Sequence, residues 1–335
     1  MKRRDLLRLS ALSALAGVAP GRLLAQPAPP AFRIYMVTWR GATAVEKGFR
    51  DYLAASKVPV EYIVRDAGQN PKRLAEFVAE IRSLKPDLVY TWGTSATLGI
   101  VGPWDKPQEG VRDIPAVFTL VASPVAVKLV PSLAASDRNL TGVSHMAPLA
   151  AQLNAIRAYR PFDRLGVIYN LAEQNSVVGV REMQELARVQ GWKLLERTFR
   201  RDASGKPLSD GIADLVAELK ADGAQWLYIG ADSYLTTQLG AVAGAALAEK
   251  LPTFATTEAV VGDNEAGVLA GLVSKYYSVG QFTAHKAAQI LVQKMPPQAI
   301  PVETLQRFSF IVRMATAKKV GALPPVGLFN YVEFV

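Results

Sequence analysis

The sequence predicts an α/β protein built as two doubly wound parallel-sheet lobes, on three observations. Apolar runs of strand length alternate with segments of helical period across short connections, the pattern of parallel strands joined by crossover helices. The alternation runs through five strands and restarts near residue 148, and 335 residues suffice for two domains with cores of their own. The polar residues gather where strands hand over to helices.

In the first half, residues 32–39 (FRIYMVTW) read as a strand and 42–56 as a helix. Residues 58–64 (VPVEYIV) are the next strand. A helix over 71–84 follows, with proline at its start, where a missing N–H costs nothing. The runs 87–92 (DLVYTW) and 115–121 (PAVFTLV) are buried strands followed by GTSA and ASPVA, and 140–144 (LTGVS) is a short fifth strand. In the second half, helices are expected over 149–159, 177–190, 208–220, 236–249 and 282–294. Strands are expected over 164–170, 192–199, 224–230, 252–256 and 267–273.

The N-terminus reads as a separate device. Lys2, Arg3 and Arg4 precede a short apolar run over 9–19, and Pro20 with RLLAQ places a cleavage site after Ala25, the layout of an export signal. The RRDLLR run resembles a twin-arginine signal, and the weakly apolar, Ala/Gly-rich core and Arg22 fit it; an ordinary secretory signal with two incidental arginines is the other reading. A Pro-rich linker spans 26–31. The chain has no cysteine, so disulfides and a lipid-modified cysteine are both excluded, and the expected address is a periplasm, unanchored. No later stretch reaches about 18 consecutive apolar residues, the length needed to cross a bilayer.

Half the residues are apolar and 20% are charged, a globular balance. The formal net charge is +9, of which residues 1–25 carry +4, leaving +5 beyond them. No dense Lys/Arg run interleaves with aromatics, so nucleic acid is not expected as a partner.

In open parallel sheets, ligands bind beyond the C-terminal strand ends, where helices present unpaired N–H groups. Thr94 and Ser95 follow one strand and Ser123 the next. Asn170, Glu173, Asn175 and Ser176 follow a third, Asp232 and Ser233 a fourth, and Thr257 and Glu258 a fifth. Each joint alone is a helix cap; five on equivalent edges of two lobes predict one cleft between them. Catalytic signatures are scarce in the sequence. There is no cysteine nucleophile, and the two histidines, His145 and His285, belong to no metal-ligand spacing and no G-x-S-x-G elbow. Neither a phosphate-binding loop nor a dinucleotide fingerprint is present. Glu173, Asp232 and Glu258 are the carboxylates that could approach the cleft. The chain reads as a binding protein, not an enzyme, with no metal and no cofactor.

KPDLVYTWGTSA (85–96), IPAVFTLVASPV (114–125), NLTGVS (139–144), RLGVIYNLAEQNS (164–176), the pair Tyr276–Tyr277 and IPVETLQRFSFIV (300–312) occur in an order that resembles the substrate-binding proteins of ABC transporters with the type I periplasmic-binding fold. The resemblance spans roughly residues 32–325. It is most specific where members read Y-N-P-x-E-x-N-S; Tyr169, Asn170, Glu173, Asn175 and Ser176 match, and Leu171 replaces the proline.

The resemblance implies two lobes joined by a hinge crossed more than once, closing around a solute. The first lobe would comprise 32–148 with about 278–300, the second 149–277 with about 301–325. Thr94 and Ser95 would meet a ligand carboxylate with a hydroxyl and helix amides. Asn170, Asn175 and Ser176 would hydrogen-bond from the second lobe, with Asp232 and Glu258 as acceptors and Trp39 as an apolar wall. Glu173 would orient the ligand or respond to closure. Two positions depart from the family: Ser123 stands where members often have aspartate in T-D-P, and Lys275 stands where an aspartate precedes the tyrosine pair. If either aspartate receives an ammonium, the ligand here is an aromatic or aliphatic carboxylate without one. If both positions are surface, Asp232 or Glu258 takes it. The implied partners are a small-molecule ligand and an ABC permease in the inner membrane, for a monomeric receptor. A sensor presenting its ligand to a membrane signalling protein is the alternative, with an enzyme on the same scaffold a further one.

Overall fold

Residues 30–263 and 265–335 are described by the computed structural model of the chain. The export signal expected over 1–25 and most of the linker over 26–31 lie outside the described residues.

The first sheet begins with β1 (Phe32–Thr38), α1 (Ala44–Ala55), β2 (Val60–Asp66), α2 (Lys72–Leu84), β3 (Leu88–Trp92), α3 (Thr94–Val101), β4 (Ala116–Thr119) and β5 (Leu140–Ser144). Every residue of β3, β4 and β5 is buried, as strands covered on both faces must be. The second lobe follows with α4 (Leu149–Tyr159), β6 (Arg164–Tyr169), α5 (Gln174–Gln190), β7 (Lys193–Thr198), α6 (Ile212–Ala221) and β8 (Trp226–Ile229). It continues through α7 (Ser233–Thr237), α8 (Leu239–Ala248), β9 (Thr253–Ala255), α9 (Glu258–Val261) and β10 (Ala270–Val273). The chain then gives α10 (Tyr276–Leu291), β11 (Glu303–Thr304), β12 (Ser309–Val312), α11 (Met314–Val320) and β13 (Val332–Phe334).

The sheets run β11-β5-β4-β3-β1-β2 and β13-β12-β10-β9-β8-β6-β7. All pairings are parallel except β10 with β12. In each lobe the order reverses beside the first strand, between β1 and β3 and between β6 and β8. Such switch points open a crevice beyond the carboxyl ends of the strands. The chain passes between the lobes three times, at 144–149, 273–276 and 304–309. Ser274 Oγ donates to His145 O at 2.8 Å, tying two of these passages together.

Several boundaries differ from the sequence expectation. The sequence assigns 301 onward to the second lobe, but Glu303 and Thr304 pair with Val143 and Ser144 in the first sheet. The helix expected over 282–294 starts at Tyr276, because Glu258 accepts from the Tyr276 N–H and supplies a cap from a distant segment. The helix expected over 236–249 breaks at Gln238 into α7 and α8, and Asp232 initiates α7 by accepting from Leu235 N at 2.8 Å.

Helix α10 is what brings the chain back to the first lobe, and it packs on α1 through two glycines. A Cβ at Gly280 would lie 2.0 Å from Val45 O, and one at Gly48 would lie 2.1 Å from Tyr277 O. Backbone meets backbone there, so neither neighbour can yield by a rotamer change. Gly280→Ala is therefore expected to destabilise the protein by about 1–3 kcal/mol, the cost of overpacking. The melting temperature should fall by about 2–4 °C per kcal/mol, and an unchanged melting curve would contradict this packing.

Candidate ligand-binding site

The carboxyl ends of the strands deliver short polar loops to the gap between the lobes. From the first lobe come Trp39 and Arg40 after β1, Gly93, Thr94 and Ser95 after β3, and Leu120 and Ala122 after β4. From the second come Asn175 at the start of α5, and Ala231, Asp232, Ser233 and Thr236 at the start of α7. With His145, Thr257 and Tyr276 these line a small chamber of about 40 Å³.

This chamber has donor character. Trp39 Nε1, Arg40 Nε and His145 Nδ1 are buried without a hydrogen-bond partner among the described residues. Helix α3 adds its first turn, because its N-cap is Gly93, which has no side chain to satisfy the amides. The Arg40 guanidinium lies 5.4 Å from the Trp92 ring centroid. Trp92 is held in turn by Nε1 donating to Thr43 Oγ1 at 3.3 Å, the residue that caps α1. Burial, aided by the charge of Arg40, pulls His145 down to about 3, so it is neutral near pH 7.

A second chamber adjoins the first through Ala122, Asn175, Ala231 and Asp232. Its volume is about 660 Å³, within the size range of small-molecule cavities. Its wall is largely apolar, with Val125, Met146, Leu149, Val180 and Met183 among the lining side chains, and Ser123, Gln152, Glu182 and Tyr228 supply polar points. The Tyr228 hydroxyl donates to Gln152 Oε1 at 2.6 Å.

The second-lobe wall is held by a carboxylate pair, Asp232 on the wall and Glu173 behind it. Asp232 Oδ2 accepts from Asn170 N at 2.9 Å and Ser176 Oγ at 2.5 Å, while Oδ1 caps α7. Glu173 accepts from Ser233 N at 2.9 Å and Tyr234 N at 3.1 Å. Burial, and then the negative charge of Asp232, push Glu173 up to about 7 against these amide bonds, and burial raises Asp232 as well.

The chain whose lobes carry this cleft matches the family model of the ABC transporter substrate binding proteins across residues 34–328. The chain belongs to this family. The substrate-binding protein is 24% identical over 274 residues, 82% of its own length and 72% of the relative's, to a tyrosine-binding protein of Clostridioides difficile. Among solved structures it resembles a conserved domain protein of Vibrio cholerae, with TM-score 0.79 and 23% identity over 91% of this chain and 99% of that one. An ABC domain from Streptococcus pneumonia, in complex with L-Trp, gives TM-score 0.76 and 21% identity over 91% and 100%. These likenesses show the type I periplasmic-binding fold.

Of the residues singled out in the sequence, Trp39, Thr94, Ser95, Ser233 and Thr257 line the small chamber of the substrate-binding protein, and Ser123 and Ser176 line the wide one. Asn175 and Asp232 line both. Four do not reach either wall. Asn170 turns back on its own loop, its Oδ1 accepting from Ala172 N at 2.9 Å. Glu173 braces α7 from behind, and Glu258 caps α10. Lys275 pairs with Glu333, Nζ–Oε2 at 2.9 Å, with Glu258 Oε1 3.9 Å away, and it lines neither chamber. Arg40, His145, Tyr276 and Glu182 are wall residues not singled out as site residues. Tyr276 carried a signal in the tyrosine pair, and Arg40 in its place directly after Trp39 at a strand end.

Because Glu173 is raised, the folded protein holds a proton that the unfolded chain has released between pH 4.5 and about 7. Stability from this site is therefore greatest below pH 4.5 and declines as pH rises through 7. Melting temperatures of the wild type and of Glu173→Gln measured from pH 4.5 to 8 should diverge, with the variant showing the flatter profile. Parallel profiles would refute the assignment.

Proposed function

We propose that this chain is the periplasmic receptor of an ABC importer, closing its lobes on a small organic carboxylate and presenting it to an inner-membrane permease. The ligand is an amino acid, or an aromatic or aliphatic acid of similar size. The observation that carries this reading is the convergence of unpartnered buried donors, Trp39 Nε1 and Arg40 Nε, with the uncapped α3 terminus, beside a cavity of ligand size. Such donors suit a carboxylate, because a helix N-terminus and a guanidinium both favour negative charge. The relatives lend support: one binds tyrosine and one holds L-Trp, each a carboxylate on an aromatic body. The export pattern at the N-terminus and the lack of cysteine support the periplasmic, unanchored location.

Of the two departures that bear on whether the ligand carries an ammonium, Ser123 lines the wide chamber and Lys275 lines neither.

The test is a thermal-shift and titration series on the protein from residue 26 onward, against aromatic and aliphatic amino acids and their deaminated analogues. A ligand at 100 times its Kd adds about 2.7 kcal/mol, worth several degrees. Arg40→Gln is expected to weaken binding about tenfold to a hundredfold, the worth of a charge-assisted hydrogen bond. Absence of any shift across these carboxylates, or full affinity in Arg40→Gln, counts against the reading.

A further inference from the structure

The wide chamber has a charge character of its own. No Lys, Arg or His lines it, and its carboxylates are Glu182, Asp232 and Glu303. Two of these are already engaged. Asp232 takes Asn170 N, Ser176 Oγ and Leu235 N, and Glu303 pairs with the buried Lys286, Nζ–Oε2 at 2.6 Å. Glu182 forms no ion pair among the described residues, and Ser123 lines the same chamber from the opposite lobe. Partial burial raises the Glu182 pKa, and the nearby Ser123 hydroxyl opposes the rise.

Helix α5 presents this carboxylate deliberately. Asn175, Ser176, Gly179, Val180, Glu182 and Met183 all line the chamber, and their spacing of three and four makes them one helix face. Gly179 sits in the middle of that face, and a Cβ added to it would meet nothing within 4 Å. A glycine inside a helix sacrifices stability; here its absent side chain keeps the chamber open in front of Glu182.

We propose that the wide chamber receives the body of the ligand and that Glu182, with Ser123, binds a primary ammonium on that ligand. This rests on the receptor reading and names the ligand class: a molecule carrying both a carboxylate, held in the small chamber, and an ammonium, held by Glu182. With the carboxylate held by the first lobe and the ammonium by the second, one ligand satisfies both only when the lobes are together, which adds to the differential affinity that drives closure.

Four probes separate the possibilities by titration calorimetry: tryptophan (α-ammonium), 6-aminohexanoate (distal ammonium), indole-3-propionate (carboxylate alone) and tryptamine (ammonium alone). Each is titrated into wild type, Glu182→Gln and Gly179→Leu. Glu182 is solvent-exposed, and the Gly179 side chain has room, so both variants are expected to melt no lower than wild type. Glu182→Gln should weaken at least one ammonium-bearing probe by about tenfold or more, leaving indole-3-propionate unchanged, and Gly179→Leu should abolish binding of all. Which of tryptophan and 6-aminohexanoate responds identifies the ammonium as α or distal. Equal affinity of every ammonium-bearing probe for wild type and Glu182→Gln overturns the proposal, as does undiminished binding in Gly179→Leu. If wild type binds tryptamine through Glu182 but none of the three carboxylate-bearing probes, the receptor's carboxylate reading fails while Glu182 keeps its role; if it binds none of the four, both fail.

Discussion

Two buried acids hold the cleft wall of the second lobe, and the shape of the site depends on them. Asp232 and Glu173 accept from Asn170, Ser233, Tyr234 and Leu235 backbone amides and from Ser176 Oγ. Those amides belong to the loops after β6 and β8, on either side of the switch point of that sheet. A buried amide left unpaired costs about as much as a lost hydrogen bond, so each acid enforces one geometry on both loops at once. The cost is mutual repulsion in a water-poor setting. For Glu173 the opposing effects can be ranked: two amide bonds favour the carboxylate, yet burial and the Asp232 charge outweigh them and leave its pKa near 7.

The first lobe is arranged in the opposite electrostatic sense. Its contribution to the small chamber is Arg40, the uncapped start of α3 and a histidine kept neutral by burial. Neutral His145 matters because a second cation there would repel Arg40 and would itself be costly to bury. The lobes thus meet with donors on one face and acceptors on the other. The three connecting passages hold these faces in register, with Ser274 bound to His145 O and α10 locked on α1 by Gly48 and Gly280.

Architecture was legible in the sequence because it depends on periodicity, which is a local property. Strand–helix alternation and its restart near 148 correspond to two sheets, and proline and capping signals fall near helix starts. What was not legible depends on contacts between distant segments. The start of α10 at Tyr276 needs Glu258, and β11 joins the first sheet only because Thr304 and Ser144 meet in space. Polar residues at joints marked the loops correctly without distinguishing walls from braces: Asn175 lines the cleft, and Glu173, two residues earlier, faces the backbone of α7. Glu182 lay beyond reach altogether, since mid-helix glutamates are ordinarily solvated and nothing in its neighbours singles it out.

The volumes of the two chambers divide the work of recognition. About 40 Å³ admits little more than a functional group, whereas about 660 Å³ admits the body of a small molecule. On the proposed reading, anchoring therefore comes from directed, charged groups in the confined chamber, where each hydrogen bond acts at short range. Discrimination among bodies comes from an apolar wall, where one methylene more or less changes affinity by about 1–3 kcal/mol. Such a wall cannot strongly reject a ligand that merely adds a polar group, so a sharper distinction requires a charged partner placed within it. Helix α5 is the element able to provide one, because a single face of it carries Asn175 to the boundary between the chambers and Glu182 nearly two turns further along the wide one.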